Sequence, residues 1–169
     1  RIVKKPFDGN VIKKVVGRER AFKKDRLMRS FGSVLVIQPV IRADGSIGTL
    51  EVQRKFRDGT TRPPDEGWCH ASGYTRLGKT LEQDGENEVV GESGTKVSLR
   101  NSLVVDAETA TDGQTLVALL AEPIYEHEVA VYVANRETSA VRIGTRGQSM
   151  TFSIHQRWKD EFHAGRIEG

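Results

Sequence analysis

The chain has one cysteine, Cys69, among 169 residues. No intrachain disulfide can form, and a reducing compartment such as the cytoplasm is expected. Only four histidines accompany it; they are scattered, which argues against a structural zinc site. No metal and no cofactor is expected. No apolar run approaches the roughly 18 residues of a membrane-spanning helix. A basic stretch, an apolar stretch and a small-residue cleavage site do not occur in that order, so no signal peptide is expected either. Aromatics make up 7% of the chain. The chain starts at Arg1 rather than Met, which reads as a processed product, a polyprotein piece or an excised segment.

What is present is an uneven charge. Residues 1–29 hold eleven Lys/Arg against Asp8, Glu19 and Asp25, a balance of +8, whereas the remainder holds fifteen against twenty, a balance of −5. A one-sided basic segment on a mildly acidic body points to a polyanionic partner. Lys4, Lys5, Lys13, Lys14, Arg18, Arg20, Lys23, Lys24, Arg26 and Arg29 are the expected phosphate contacts, the arginines as bidentate donors. Phe7, Phe22 and Phe31 interleave with them; they read as anchors of the arm or as base-stacking groups.

The body is punctuated by four Asp-Gly pairs, at 44–45, 58–59, 84–85 and 112–113. Asp-Gly suits tight turns because both residues tolerate positive φ. Between the pairs lie short runs with strand composition: FGSVLVIQPVI (31–41), IGTLEVQRKF (47–56), TKVSL (95–99), SLVVDA (102–107), TLVALLA (115–121), EVAVYVA (128–134), AVRIG (140–144) and MTFSIHQRW (150–158). In the last, Met150, Phe152, Ile154 and Gln156 alternate with Thr151, Ser153 and His155, a period of two. TLVALLA reads as a strand or a short helix. Hairpin turns are expected at Asp44-Gly45 and Asp112-Gly113, and Pro39 at a bulge or an edge. Segment 62–95, with Pro63-Pro64 and the acids from Glu82 to Glu92, reads as long irregular acidic loops with a strand near Trp68. This spacing predicts an all-β fold, an antiparallel β-sandwich or barrel with a jelly roll preferred. The expected organisation is a basic N-terminal arm over 1–30, partly helical, a β domain over 31–158 and a short tail over 159–169.

One stretch matches a chemical motif. GYTRLGKT (73–80) satisfies G-x-x-x-x-G-K-[ST], the phosphate-cradling loop. LVVD (103–106), followed by Glu108, has the form of an apolar strand ending in a Mg²⁺-binding Asp. In such a site Lys79 reaches the phosphates, and Thr80 with Asp106 holds the metal. The loop needs a buried strand before it and a helix after it. PPDEGWCHAS does not read as that strand, and Gly85, Gly91 and Gly94 fall where the helix should run. Lys79 is therefore expected not to be a phosphate ligand, and a nucleotide-binding enzyme using 73–80 is the alternative reading. Asp44, Glu51 and Lys55 are similar to metal-dependent nuclease carboxylates, but Gln53 stands where such sites need Glu. Cys69 and His70 are neighbours, whose side chains diverge on an extended chain. A thiol nucleophile would need His127, His155 or His163 instead, and His155 reads as a surface residue. No catalytic residue is expected.

A basic arm followed by a β body resembles the plan of small viral coat proteins and viral nucleic-acid transport proteins, in layout rather than in motif. That resemblance implies a non-enzymatic, self-associating homo-oligomer. Its partner would be single-stranded nucleic acid, RNA favoured, and its setting the cytoplasm or a virion. A module with an acidic protein partner is a further alternative.

Overall fold

The computed structural model describes residues 32–76, 78–109 and 115–165. The basic arm lies outside the described residues, with all ten expected phosphate contacts from Lys4 to Arg29. So does the Asp112-Gly113 turn.

The apolar run after the arm forms β1 (Gly32–Ile37). A strand covered on both faces reads as a continuous apolar run, and here alternate residues feed two cores. Val34 and Val36 enter one, Leu35 and Ile37 the other. Burial of each such side chain contributes about 1.5–3 kcal/mol. Beside β1 lie β5 (Ala71–Tyr74), antiparallel, and β7 (Thr115–Leu120), parallel; β6 (Leu103–Thr109) completes the order β5-β1-β7-β6.

The chain changes sheets at Gln38. Its Nε2 donates to the carbonyls of Pro39 (3.0 Å) and Glu122 (2.8 Å). Pro39, which cannot donate to a ladder, opens β2 (Pro39–Ile41). The second sheet has the order β4-β3-β2-β8, from β3 (Ile47–Arg54), β4 (Trp68–Cys69) and β8 (Ile124–Tyr125), with β9 (Thr138–Gly144) paired along β3. The β2–β3 hairpin turns at Asp44-Gly45 as expected, with Gly45 at φ +84°. β6 and β7 pair antiparallel across the 110–114 connection.

Two helices overturn the all-β expectation. α1 (Leu81–Ser93) covers the face of β1 bearing Val34 and Val36 and contributes Val89. α2 (Ser153–His163) covers the opposite face and contributes Trp158, with Ile154 and Phe162 packed around it. With one parallel pair in each sheet and a helix on each face of the first, the fold is mixed α/β. It is not an antiparallel sandwich, barrel or jelly roll.

The local reasons are clear. Thr80 is the N-cap of α1: its hydroxyl accepts from the Gln83 N–H (3.1 Å) while Gln83 Oε1 accepts from the Thr80 N–H (3.0 Å), a capping box. Gly94 ends the helix at φ +74°, the left-handed C-terminal cap. Gly85, expected in a turn, lies inside α1, where a Cβ would meet Leu99 Cδ1 at 2.5 Å and Val36 Cγ2 at 3.0 Å. In α2, Ile154, Trp158 and Phe162 recur every four residues, the helical period, which outweighs the two-residue alternation. Segments 95–99 and 129–134 form no strand.

Candidate functional site

Asp84, Glu88 and Glu92 are spaced four apart, so α1 stacks them on one face. That face looks onto β5 and the end of β3, and each acid has a different environment there.

Glu92 is buried. Its Oε1 lies 2.8 Å from Arg54 Nη2, and its Oε2 accepts from the Ser72 N–H at 3.1 Å. Arg54 Nη2 also donates to the Ser72 carbonyl at 2.8 Å, so one guanidinium ties α1, β3 and β5 together. Burial pushes the Glu92 carboxyl up to about 8 against the pull of Arg54. Asp84 is buried too. Its Oδ2 accepts from the Arg76 N–H at 2.9 Å, and its Oδ1 lies 3.5 Å from Arg76 Nε with no hydrogen-bond partner. Glu88, between them, makes no hydrogen bond or ion pair to another described residue. Its carboxylate lies against Gly73, where any Cβ would collide with it. Burial, in first place, raises its pKa. Arg76, Tyr74 and Lys79 stand exposed beside the acidic face.

Both elements expected to be missing around 73–80 are present. A strand, β5, does precede the loop, and a helix, α1, does follow it. The Thr80 hydroxyl is taken up by the helix cap. Asp106 and Glu108 are engaged elsewhere, by Arg157 of α2 at 3.4 and 2.5 Å.

A second polar cluster lies under α2. Lys159 and Glu51 are both fully buried, with Nζ 2.7 Å from Oε2. Glu51 also accepts from Arg142 and from the Thr49 hydroxyl. His155, expected at the surface, is buried: its Nδ1 accepts from the His70 N–H at 3.0 Å, and the two rings stack at 5.8 Å. Burial holds the His70 imidazole well below its usual range and His155 down to about 3. Cys69 is buried with its thiol pushed up to about 12 by burial, which makes it inert as a nucleophile. Asp44 caps its own exposed turn through Ser46. The structure thus separates Asp44, Glu51 and Lys55 rather than assembling a nuclease site. Among the described residues, no group of three or more His, Cys, Asp or Glu is placed to hold a metal ion.

No protein-family model and no curated protein matches the chain. Solved structures do. The NUDIX domain of Shewanella oneidensis NrtR, complexed with ADP ribose, superposes with a TM-score of 0.60 at 14% identity, covering 95% of this chain and 100% of that one. The fold is that of the Nudix proteins. The MutT protein of Methanosarcina mazei Go1 superposes with a TM-score of 0.56 at 13% identity, over 80% of this chain and 95% of that one. An ADP-ribose pyrophosphatase from Streptococcus suis gives 0.50 at 15% identity, over 81% and 94%.

This likeness corrects the functional expectation as well as the fold. The coat-like, non-enzymatic, nucleic-acid-binding homo-oligomer, with its virion setting, rested on the β-sandwich plan, and that plan is replaced. Among the described residues, no helix is long and apolar enough to cross a membrane. Sequence reasoning missed Asp84, Glu88, Glu92, Arg54 and Arg76. The acids could have been found from Thr80-x-x-Gln83 as a capping box, which starts a helix and so places them on one face.

Proposed function

We propose that this chain is a nucleotide-binding enzyme whose ligand is a small nucleoside-diphosphate derivative of the ADP-ribose kind, held against the acidic face of α1, and that the reaction is hydrolysis of the diphosphate linkage. The observation that carries the reading is the superposition on the ADP-ribose-bound NUDIX domain, over the whole of that domain. The local chemistry supports it. Arg54 and Arg76 offer charge-assisted donors for phosphate oxygens. Glu88, without a partner among the described residues, is the carboxylate free to take a proton from attacking water as the new phosphorus–oxygen bond forms and the bridging bond breaks. Exposed Tyr74, next along β5, offers a face for a base. A reducing compartment, the cytoplasm, suits the buried thiol of Cys69.

Diphosphate hydrolysis commonly draws on a divalent cation that neutralises phosphate oxygens. The donor set here does not fit one. Both oxygens of Glu92 are taken, Asp84 keeps one oxygen free of hydrogen bonds but 3.5 Å from Arg76 Nε, and no group of three or more acids among the described residues is placed to hold a metal ion. That mismatch favours a second reading, binding of the same ligand without turnover. Calorimetry with ADP-ribose, followed by chromatography of the mixture, tests both. Binding near micromolar strength, about −8 kcal/mol, is expected. AMP and ribose phosphate as products establish the enzyme, and unchanged ADP-ribose establishes the binder. No heat up to about 1 mM ligand refutes the ligand assignment.

A further inference from the structure

We infer that Arg54 and Arg76 take the place of a divalent cation on the acidic face of α1, so that a diphosphate is bound there without metal. This rests on the ligand reading above and deepens it.

Three acids share one helical face. Two flanking acids are each matched by a guanidinium, Arg54 on Glu92 at 2.8 Å and Arg76 near Asp84 at 3.5 Å. The two arginines supply the +2 that a cation such as Mg²⁺ would bring. They supply it from β3 and from the loop after β5; the Ser72 and Arg76 backbone N–H groups join β5 and that loop to α1, and the Arg54 side chain joins β3 to it. The two other positions one turn from Glu88 are Gly85 and Gly91, which carry no ligand atom, and Gly91 has open space around it. A bound cation would therefore find one free carboxylate, that of Glu88, with two guanidinium groups already paired to the acids on either side. Neither arginine is spent entirely on its acid: the Arg54 side chain is 33% exposed and that of Arg76 is 49% exposed. Planar guanidinium groups suit a diphosphate because each presents paired donors to adjacent oxygens.

The test uses the full chain in three arms. Mn²⁺ alone is titrated and followed by electron paramagnetic resonance; the free-ion signal should track total Mn²⁺ up to about 1 mM, the weak end of oxygen-ligand cation sites. Stoichiometric loss of signal below that, restored by Glu88→Gln, overturns the inference. ADP-ribose is then titrated by calorimetry in EDTA and in MgCl2. Affinities within about twofold support it, whereas tightening by Mg²⁺ of about tenfold or more, 1.4 kcal/mol, overturns it. Finally, Arg54→Met should lose about tenfold or more in both buffers, and Arg54→Lys should recover part of it; an Arg54→Met chain that is folded and binds as the parent does refutes the role of Arg54. Absence of binding in both buffers sinks the ligand reading instead, and the Mn²⁺ arm alone then decides whether the arginines close this face to cations.

Discussion

Replacing Glu51 by Gln should destabilise the protein more than replacing its partner Lys159 by Met, and the structure gives the reason. Glu51 sits fully buried on β3 and compensates two cations, Lys159 at 2.7 Å and Arg142 at 2.8 Å. Removing its charge leaves a buried ammonium and a mostly buried guanidinium without a counter-ion, an arrangement that costs about 3–5 kcal/mol. Removing Lys159 leaves Glu51 still paired with Arg142 and still accepting from Thr49 at 2.7 Å, so its cost should sit near or below the lower end of that range, about 1–3 kcal/mol. For a domain of this size about 1 kcal/mol moves Tm by roughly 2–4 °C, so Glu51→Gln should lower Tm by about 6–20 °C on the same scaling. Urea unfolding of both single variants and of the double variant measures the terms directly. The double variant should be less destabilised than the two singles added together, since neutralising both partners removes the stranded charge. If Lys159→Met costs as much as Glu51→Gln, or if the two effects simply add, Glu51, Lys159 and Arg142 do not act as one unit.

Two further predictions concern α1. Gly85→Ala raises intrinsic helix propensity by about 1 kcal/mol but places a Cβ 2.5 Å from Leu99; the clash should win, with a net loss of about 1–3 kcal/mol by chemical denaturation, and a stabilised variant would contradict the packing. Glu92 has its carboxyl raised to about 8 by burial from an ordinary 4.5, so the folded state holds the proton more tightly. Its contribution is complete below about pH 4.5 and is lost as pH rises through about 8, amounting to a few kcal/mol on the order expected for such a shift. Glu92→Gln should flatten that decline, and a parent whose stability climbs relative to the variant between pH 5 and 8 would reverse the sign.

How much of this was legible in the sequence depended on which period carried the burial. β1, β3, β6, β7 and β9 announced themselves as β-branched runs, and Asp44-Gly45 as a hairpin, because strand composition and turn chemistry act locally. α1 did not, because it packs through Gly85 and Val89 and buries Asp84 and Glu92 instead of an apolar stripe. Those acids are tolerable inside only because Arg54 and Arg76 reach them from other elements, a tertiary fact. α2 displayed two periods at once; Ile154, Trp158 and Phe162 at a spacing of four were visible beside the misleading alternation. The site was missed for the same reason as α1, since acids scattered through an expected loop share no face until the loop is a helix. The charge asymmetry of residues 1–29 is legible in composition alone, and those residues lie outside the described ones.

Where ADP-ribose binds is read by a nuclear magnetic resonance titration of the isotopically labelled full chain with this ligand, following the backbone amides. Binding against α1 predicts that Ser72, Gly73, Arg76, Glu88 and Glu92 shift together and saturate at one common concentration, while Ile154, Trp158 and Lys159 of α2 stay in place. Shifts confined to α2, or no shift anywhere up to about 1 mM ligand, the affinity floor of a specific small-molecule site, would contradict it.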